Sequence, residues 1–358
     1  MLALQPESKL FSLLLSGSPH TKSMFTFERT YLKHTTLRIL FLALIWCLPL
    51  LLQGCGEEVP VVQVNLDKRE SIKVPVPEPA ITYAYLPQYS HEVSYTRHNS
   101  LVQYLAKETG FPMRQVFPDT FAEHVRMVER GEIDISFSNP VVYVQLAKMG
   151  SEAFARITEP DGSPDFRGQI IVHAQNKSIK DLSDVIGKRW IAVDPHSAGG
   201  YIYALGYFLD HDIHSHDFRE IAFAPGPGGK QEKAALAVYA GKYDVASIRE
   251  GALDTVKDKI NLQHIRVLAL TPEYPGWVYS ARKGLDKTIV NQIAKALFKL
   301  SLTDKKHANL LKNAHMSGII PATDADYNAV RTLIHKIDAD KKASQPESNP
   351  ATSSTADK

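Results

Sequence analysis

The chain has 358 residues, 44% of them hydrophobic, with 41 Lys/Arg against 39 Asp/Glu and a formal net charge of +2. So even a balance excludes a nucleic-acid-binding stripe or a polybasic membrane surface. Its length allows more than one packed unit, and its two cysteines exclude a disulfide-rich scaffold.

In chain order, the first feature is an apolar run over 39–52, ILFLALIWCLPLLL, preceded by Arg29, Lys33 and Arg38 and followed by Gln53, Gly54 and Cys55. At about 14 residues it is short for a membrane-spanning helix. Leu52-Gln53-Gly54-Cys55 resembles the lipobox that ends a bacterial lipoprotein signal peptide. The resemblance implies that residues 1–54 are removed, that Cys55 becomes an acylated N-terminus, and that the protein is held at the cell envelope by lipid. Met24 is then an alternative start to Met1. Cys47 leaves with the signal, so no disulfide forms within the mature chain. With five basic and two acidic residues in the first 54, the remaining 304 carry 36 and 37. Pro60, Pro75, Pro77 and Pro79 make 55–79 an extended tether. The polar stretch 341–358 is expected to be disordered.

Between them, strands and helices alternate. Strands are expected at 81–86, 113–117, 133–137, 169–173, 190–193, 221–224, 245–248 and 267–270. Helices are expected at 99–109, closed by Gly110, at 120–129, at 139–148 with Pro140 in the first turn, from 195 through 209, at 231–240 and at 287–300. Alternation of this kind predicts parallel-rich sheets covered by helices. One local pattern occurs twice: Gly131-Glu132-Ile133-Asp134 and Gly241-Lys242-Tyr243-Asp244 each close a helix and open a strand. Their shared context predicts two similarly built lobes.

An ordered set of motifs is similar to the PhnD-like family of periplasmic phosphate, phosphite and phosphonate-binding proteins of ABC transporters. It comprises 104–110 (YLAKETG), 131–135 (GEIDI), Asn139-Pro140 with Tyr143, 166–172 (FRGQIIV), 179–182 (IKDL), 187–194 (GKRWIAVD), 197–201 (SAGGY) and 237–246 (AVYAGKYDVA). The resemblance implies a two-lobed α/β fold of the type II periplasmic-binding-protein kind, each lobe a mixed, mostly parallel sheet flanked by helices. Residues 80–168 and 270–340 would form one lobe and 172–266 the other, with a ligand caught between them on hinge closure. It further implies an ABC permease and ATPase as partners, no enzymatic activity, no cofactor and a monomer.

The residues themselves mark a site. Ser197, Gly199, Gly200 and Tyr201 follow a strand and open a helix, where free backbone N–H groups and a hydroxyl can meet an anion. The family carries Ser-Thr-Ser-Gly here and a histidine thirteen residues before the second Asp; this chain has Ala198, Gly199 and Gln231 instead. The family's frequent tyrosine before the interlobe strand is Phe166. Arg167, Lys230 and Arg249 are the candidate replacement donors, a guanidinium offering a planar fork to an oxyanion. Glu250 pairs with Arg249 or holds an amine of the ligand. Tyr85 and Tyr143 are candidate hydroxyl donors from the other lobe, and Asn139 is an N-cap beside them.

The run 211–217 (HDIHSHD) has three imidazoles without a standard zinc spacing and reads as a solvated loop. No nucleophile elbow, zinc-protease or phosphate-loop motif occurs. The sequence thus points to capture of a small oxyanion for an importer. A ligand-sensing subunit that presents the anion to a membrane signalling protein, and an exported enzyme, are the alternatives.

Overall fold

A computed structural model describes residues 79–344. The expected signal segment, Cys55, most of the expected tether and the residues beyond 344 lie outside the described residues. The first lobe is built on a six-stranded sheet, in the order β13-β4-β12-β3-β1-β2. Its strands are β1 (Ile81–Tyr85), β2 (Met113–Val116), β3 (Ile135–Ser138), β4 (Glu152–Thr158), β12 (Val278–Ala281) and β13 (Gly318–Pro321). The second is built on a five-stranded sheet, in the order β10-β6-β9-β7-β8. It contains β6 (Gly168–His173), β7 (Arg189–Ala192), β8 (Glu220–Phe223), β9 (Val245–Arg249) and β10 (Ile265–Leu270). The chain passes between lobes twice, through β5 (Asp165–Phe166) and β11 (Tyr274–Pro275), which pair antiparallel.

The helices are α1 (His91–Thr109), α2 (Phe121–Glu129), α3 (Pro140–Lys148), α4 (Tyr203–Leu209), α5 (Lys230–Tyr239), α6 (Lys287–Phe298), α7 (Lys305–Asn313) and α8 (Asn328–Ala343). Caps explain several starts. Ser90, Thr120 and Asn139 accept from the backbone N–H of Val93, Glu123 and Val142. Capped by Ser90, α1 begins at His91, eight residues before the expected 99, because the amphipathic spacing of 99–109 continues backward through the buried Ser94 and His98.

Parallel pairing is confined to β2-β1-β3 and β8-β7-β9. Strands that return from a crossover, β4, β12, β6 and β10, run antiparallel to their neighbours. The sheets are therefore mixed rather than parallel-rich. β4, β12, β13, α7 and α8 were not expected from the sequence. The helix expected to end at 300 stops at Phe298, and 341–343, expected in the disordered tail, form the last turn of α8. Leu333 and Ile337 are buried on that helix, and Leu333 Cδ1 lies 2.2 Å from where a Cβ on Gly206 would stand, so α8 rests against α4 of the second lobe.

The two glycine–aspartate motifs do the same work in each lobe. Gly131 and Gly241 have φ of 75° and 67°, a left-handed turn that favours glycine. Asp134 Oδ2 then accepts from the backbone N–H of Thr82 in β1 at 2.8 Å, and Asp244 Oδ2 from that of Arg189 in β7 at 3.0 Å. Each carboxylate pins its helix-to-strand turn to the start of the neighbouring parallel strand. In the first lobe Arg282 Nε adds a bond to Asp134 Oδ1 at 2.8 Å.

The His211–Asp217 loop is held rather than free. His214 Nδ1 lies 2.6 Å from Asp340 Oδ1 on α8, and His214 and His216 stack at 5.1 Å. Among the described residues no group of three or more His, Cys, Asp or Glu is placed to hold a metal ion, and no helix is long and apolar enough to cross a membrane.

Candidate ligand-binding cleft

Strand β7 delivers the central turn. Past Ala192 the chain bends at Asp194, whose carbonyl accepts from Ser197 N–H at 2.9 Å and whose Oδ1 accepts from His196 N–H at 3.0 Å. Residues Ala198–Ile202 form a π-helical turn that runs into α4. Ser197 Oγ caps it, accepting from Gly200 N–H at 3.2 Å. The serine's own hydroxyl proton remains free to donate. The amides of Ala198 and Gly199 precede the first helical bond and have no acceptor among the described residues. Buried amides left over at a helix start form an anion site.

The turn sits where it does because glycines let backbone meet backbone. A Cβ on Gly168 would stand 2.3 Å from Gly199 O, and one on Gly199 would stand 3.0 Å from Arg249 Cβ. Gly200 O accepts from Val193 N–H at 3.1 Å and from Ser247 Oγ at 2.7 Å, and Ser247 Oγ in turn accepts from Trp190 Nε1 at 3.0 Å. This chain of bonds locks the turn to the ends of β7 and β9.

Two cations flank it. Lys230, at the start of α5, donates to Asp194 Oδ2 at 2.6 Å, with both side chains about one-tenth exposed. The carboxyl of Asp194 is held below its ordinary range. Burial opposes its charge, but bonds from His196 and Lys230 outweigh that. Arg249, at the end of β9, donates from Nη2 to both oxygens of Glu159 at 2.7 and 2.8 Å, and lies 5.1 Å over the Phe166 ring. Burial works against its charge, yet Glu159 holds the guanidinium above its usual pKa. Its Nε–H is buried without a partner among the described residues. Gln231 Oε1 accepts from Arg249 N–H at 3.0 Å, fixing the strand end to the start of α5.

The first lobe closes over this group. Asn139 caps α3 and also donates from Nδ2 to His196 O at 3.2 Å, across the lobe boundary. A Cβ on Gly228 would lie 2.9 Å from Tyr89 O, so the loop before α5 touches the first lobe directly. Tyr85 Oη accepts from Gln88 Nε2 at 2.8 Å, leaving its own proton to donate. Its ring stands against His98 at 4.4 Å and Trp277 at 5.5 Å. Burial first, then Arg97, pushes His98 down to about 3, so this imidazole is neutral at ordinary pH.

Ser197, Gly199, Gly200, Phe166, Lys230, Gln231, Arg249 and Asn139 thus converge, with Tyr85 facing them from the first lobe. Others do not join them. Tyr201 packs on Trp190 and Phe223 and lines a crevice of about 640 Å³ against α3 and α8. Tyr143 donates to Asp324 at 2.8 Å within the first lobe. Arg167 is a surface residue, paired with Glu250 at 2.9 Å and Glu273 at 3.5 Å. Glu250 therefore does not pair with Arg249, since successive strand residues face opposite sides of the sheet. Glu159 and Trp277 carried no local sequence signal; both reach the site only through tertiary pairing.

The sequence profile of the family described as "ABC transporter, phosphonate, periplasmic substrate-binding protein" matches residues 83–327. The phosphate-import protein PhnD of Mycolicibacterium smegmatis is 24% identical over 303 residues, covering 80% of this chain and 92% of that protein. The tetrathionate sensor histidine kinase TtrS of Salmonella typhimurium is 26% identical over 185 residues, covering 48% of this chain and 31% of the kinase. The crystal structure of a binding-protein component of an ABC phosphonate transporter from Pseudomonas aeruginosa superposes with a TM-score of 0.67 at 17% identity. It covers 76% of this chain and 91% of that one.

The Asp194 pair sets a pH dependence. A carboxyl held below its unfolded value contributes stability that is whole above about pH 4 and is lost as pH falls through the lower native value. Urea unfolding should therefore show Asp194→Asn destabilised by about 1–3 kcal/mol at pH 7, with the gap to wild type shrinking as the pH falls below about 4. A gap that stays constant over that range would mean that Asp194 titrates alike in both states.

Proposed function

Because the chain belongs to the family of periplasmic substrate-binding proteins of ABC phosphonate transporters, we propose that it captures a small oxyanion of the phosphonate, phosphite or phosphate class and delivers it to an ABC importer. The observation that carries this reading is the pairing of free amides at Ala198 and Gly199 with the unpartnered Nε–H of Arg249 beside them. Donors that converge without acceptors of their own fit the oxygens of an anion. The paired states of Lys230 and Arg249 keep the site from carrying excess positive charge when empty. Such a site relies on directed hydrogen bonds more than on net attraction. Closure of the two lobes would then complete the ligand's shell. The lobe boundaries at 80–168 plus 270–340 and at 172–266 are part of the same proposal.

Titration calorimetry and thermal shift of the full chain against phosphate, phosphite and methylphosphonate test the reading. A ligand at one hundred times its dissociation constant should add about 2.7 kcal/mol of stability. Ser197→Ala and Arg249→Lys should each weaken binding about tenfold or more, the first by losing a hydroxyl donor and the second by losing the planar fork. Equal affinities in both variants would move the ligand elsewhere.

We further propose that Cys55 is acylated and anchors the protein to a membrane. Two or more acyl chains anchor stably. Cys55→Ser should move the protein from the membrane fraction to the soluble fraction on fractionation, and unchanged partition would reject the anchor.

A sensing role is the second reading, favoured by the similarity to the tetrathionate sensor kinase. Uptake of a labelled ligand separates the two. Deleting the protein should abolish uptake if it feeds an importer and leave uptake unchanged if it serves a sensor.

A further inference from the structure

The two described tryptophans differ in one respect. Trp190 Nε1 donates to Ser247 Oγ at 3.0 Å. Trp277 is 3% exposed, yet its Nε1–H has no partner among the described residues. Buried indole N–H groups ordinarily find an acceptor.

Val278 pairs with Ser138 at the end of β3, so Trp277 stands opposite Asn139, the residue that reaches across to His196 O. On the other side, Trp277 O accepts from Ile157 N–H at 3.0 Å, and Glu159, two residues on, holds Arg249. The indole ring lies 5.5 Å from Tyr85 and 5.1 Å from Phe137. Trp277 therefore packs on Tyr85 and Phe137 in the first lobe, beside the strand that leads to Glu159, the partner of Arg249. Trp277 Nε1 in the first lobe and Arg249 Nε in the second are both buried and unpartnered among the described residues.

We propose that Trp277 is the ligand donor of the first lobe, giving its indole N–H to an oxygen of the same oxyanion that Arg249 binds from the second. The inference rests on the oxyanion reading above and deepens it. One oxyanion bridging a neutral N–H and a guanidinium ties the lobes together, so binding and closure are one event. Phe137 and Tyr85 beside the indole give a carbon substituent of the anion an apolar wall.

The test uses the full chain, with phosphate and methylphosphonate as probes. Trp277→Phe keeps an aromatic ring and removes the N–H, and should weaken binding at least about tenfold, the worth of a hydrogen bond to a charged group. In nitrogen-15-labelled wild-type protein, the Trp277 indole resonance, told from those of Trp46 and Trp190 by Trp46→Phe and Trp190→Phe samples, should shift on saturation with either probe. The wild-type spectrum gives a result even if Trp277→Phe does not fold. Affinity within twofold of wild type, or an unmoved Trp277 resonance at saturation, overturns the proposal while the oxyanion reading stands. Failure of the wild type to bind any oxyanion overturns both.

Discussion

The site depends on one backbone contact. Gly199 O presses on Gly168 so closely that a Cβ there would stand 2.3 Å away, and a Cβ on Gly199 would stand 3.0 Å from Arg249 Cβ. Only because side chains are missing at these points can the turn after β7 settle onto the ends of β6 and β9. Once there, its free amides, the Ser197 hydroxyl and the Arg249 guanidinium share a small volume. A larger residue at 168 would push the turn outward and separate donors that must act together. The Trp190–Ser247–Gly200 relay of hydrogen bonds then holds the turn from below.

The charges follow a consistent plan. Each cation near the turn is already satisfied by a carboxylate, Lys230 by Asp194 and Arg249 by Glu159. A buried unpaired cation would be costly, so the pairs let the empty site fold. Directional N–H groups are left over for the ligand. Direct bonds join the lobes near the cleft, Arg249 to Glu159 and Asn139 to His196, with the Gly228–Tyr89 backbone contact besides. A ligand gripped from both sides would supply the rest of the closing force. On the far side, α8 bridges to the second lobe through Leu333, Lys336 and Asp340. The histidine loop serves this docking.

Much of the fold was legible where local chemistry decides it. Asn139, Thr120 and the two left-handed glycines end or begin elements by their own side chains or their lack of one, and the repeated Gly-x-x-Asp reports a turn whose carboxylate pins the next strand. β4, β12 and β13 were not legible, because they pair antiparallel with strands far away in sequence, and β12 and β13 are only four residues long. α8 was missed because its exposed face is dense in charge and only Val330, Leu333 and Ile337 are buried. In the site, the serine and glycines of the turn could be read from their place between strand and helix. Glu159 and Trp277 could not. Ninety positions separate Glu159 from Arg249, and no spacing rule reaches that far. The same limit misassigned Glu250, whose neighbour in sequence faces the other side of the sheet.

The most direct measurement is a crystal structure of the chain with a bound phosphorus oxyanion. The expected result places its oxygens about 2.7–3.1 Å from the amide nitrogens of Ala198 and Gly199 and from Arg249 Nε. An anion bound outside the junction of the lobes, with those three nitrogens still unpartnered, would contradict the account.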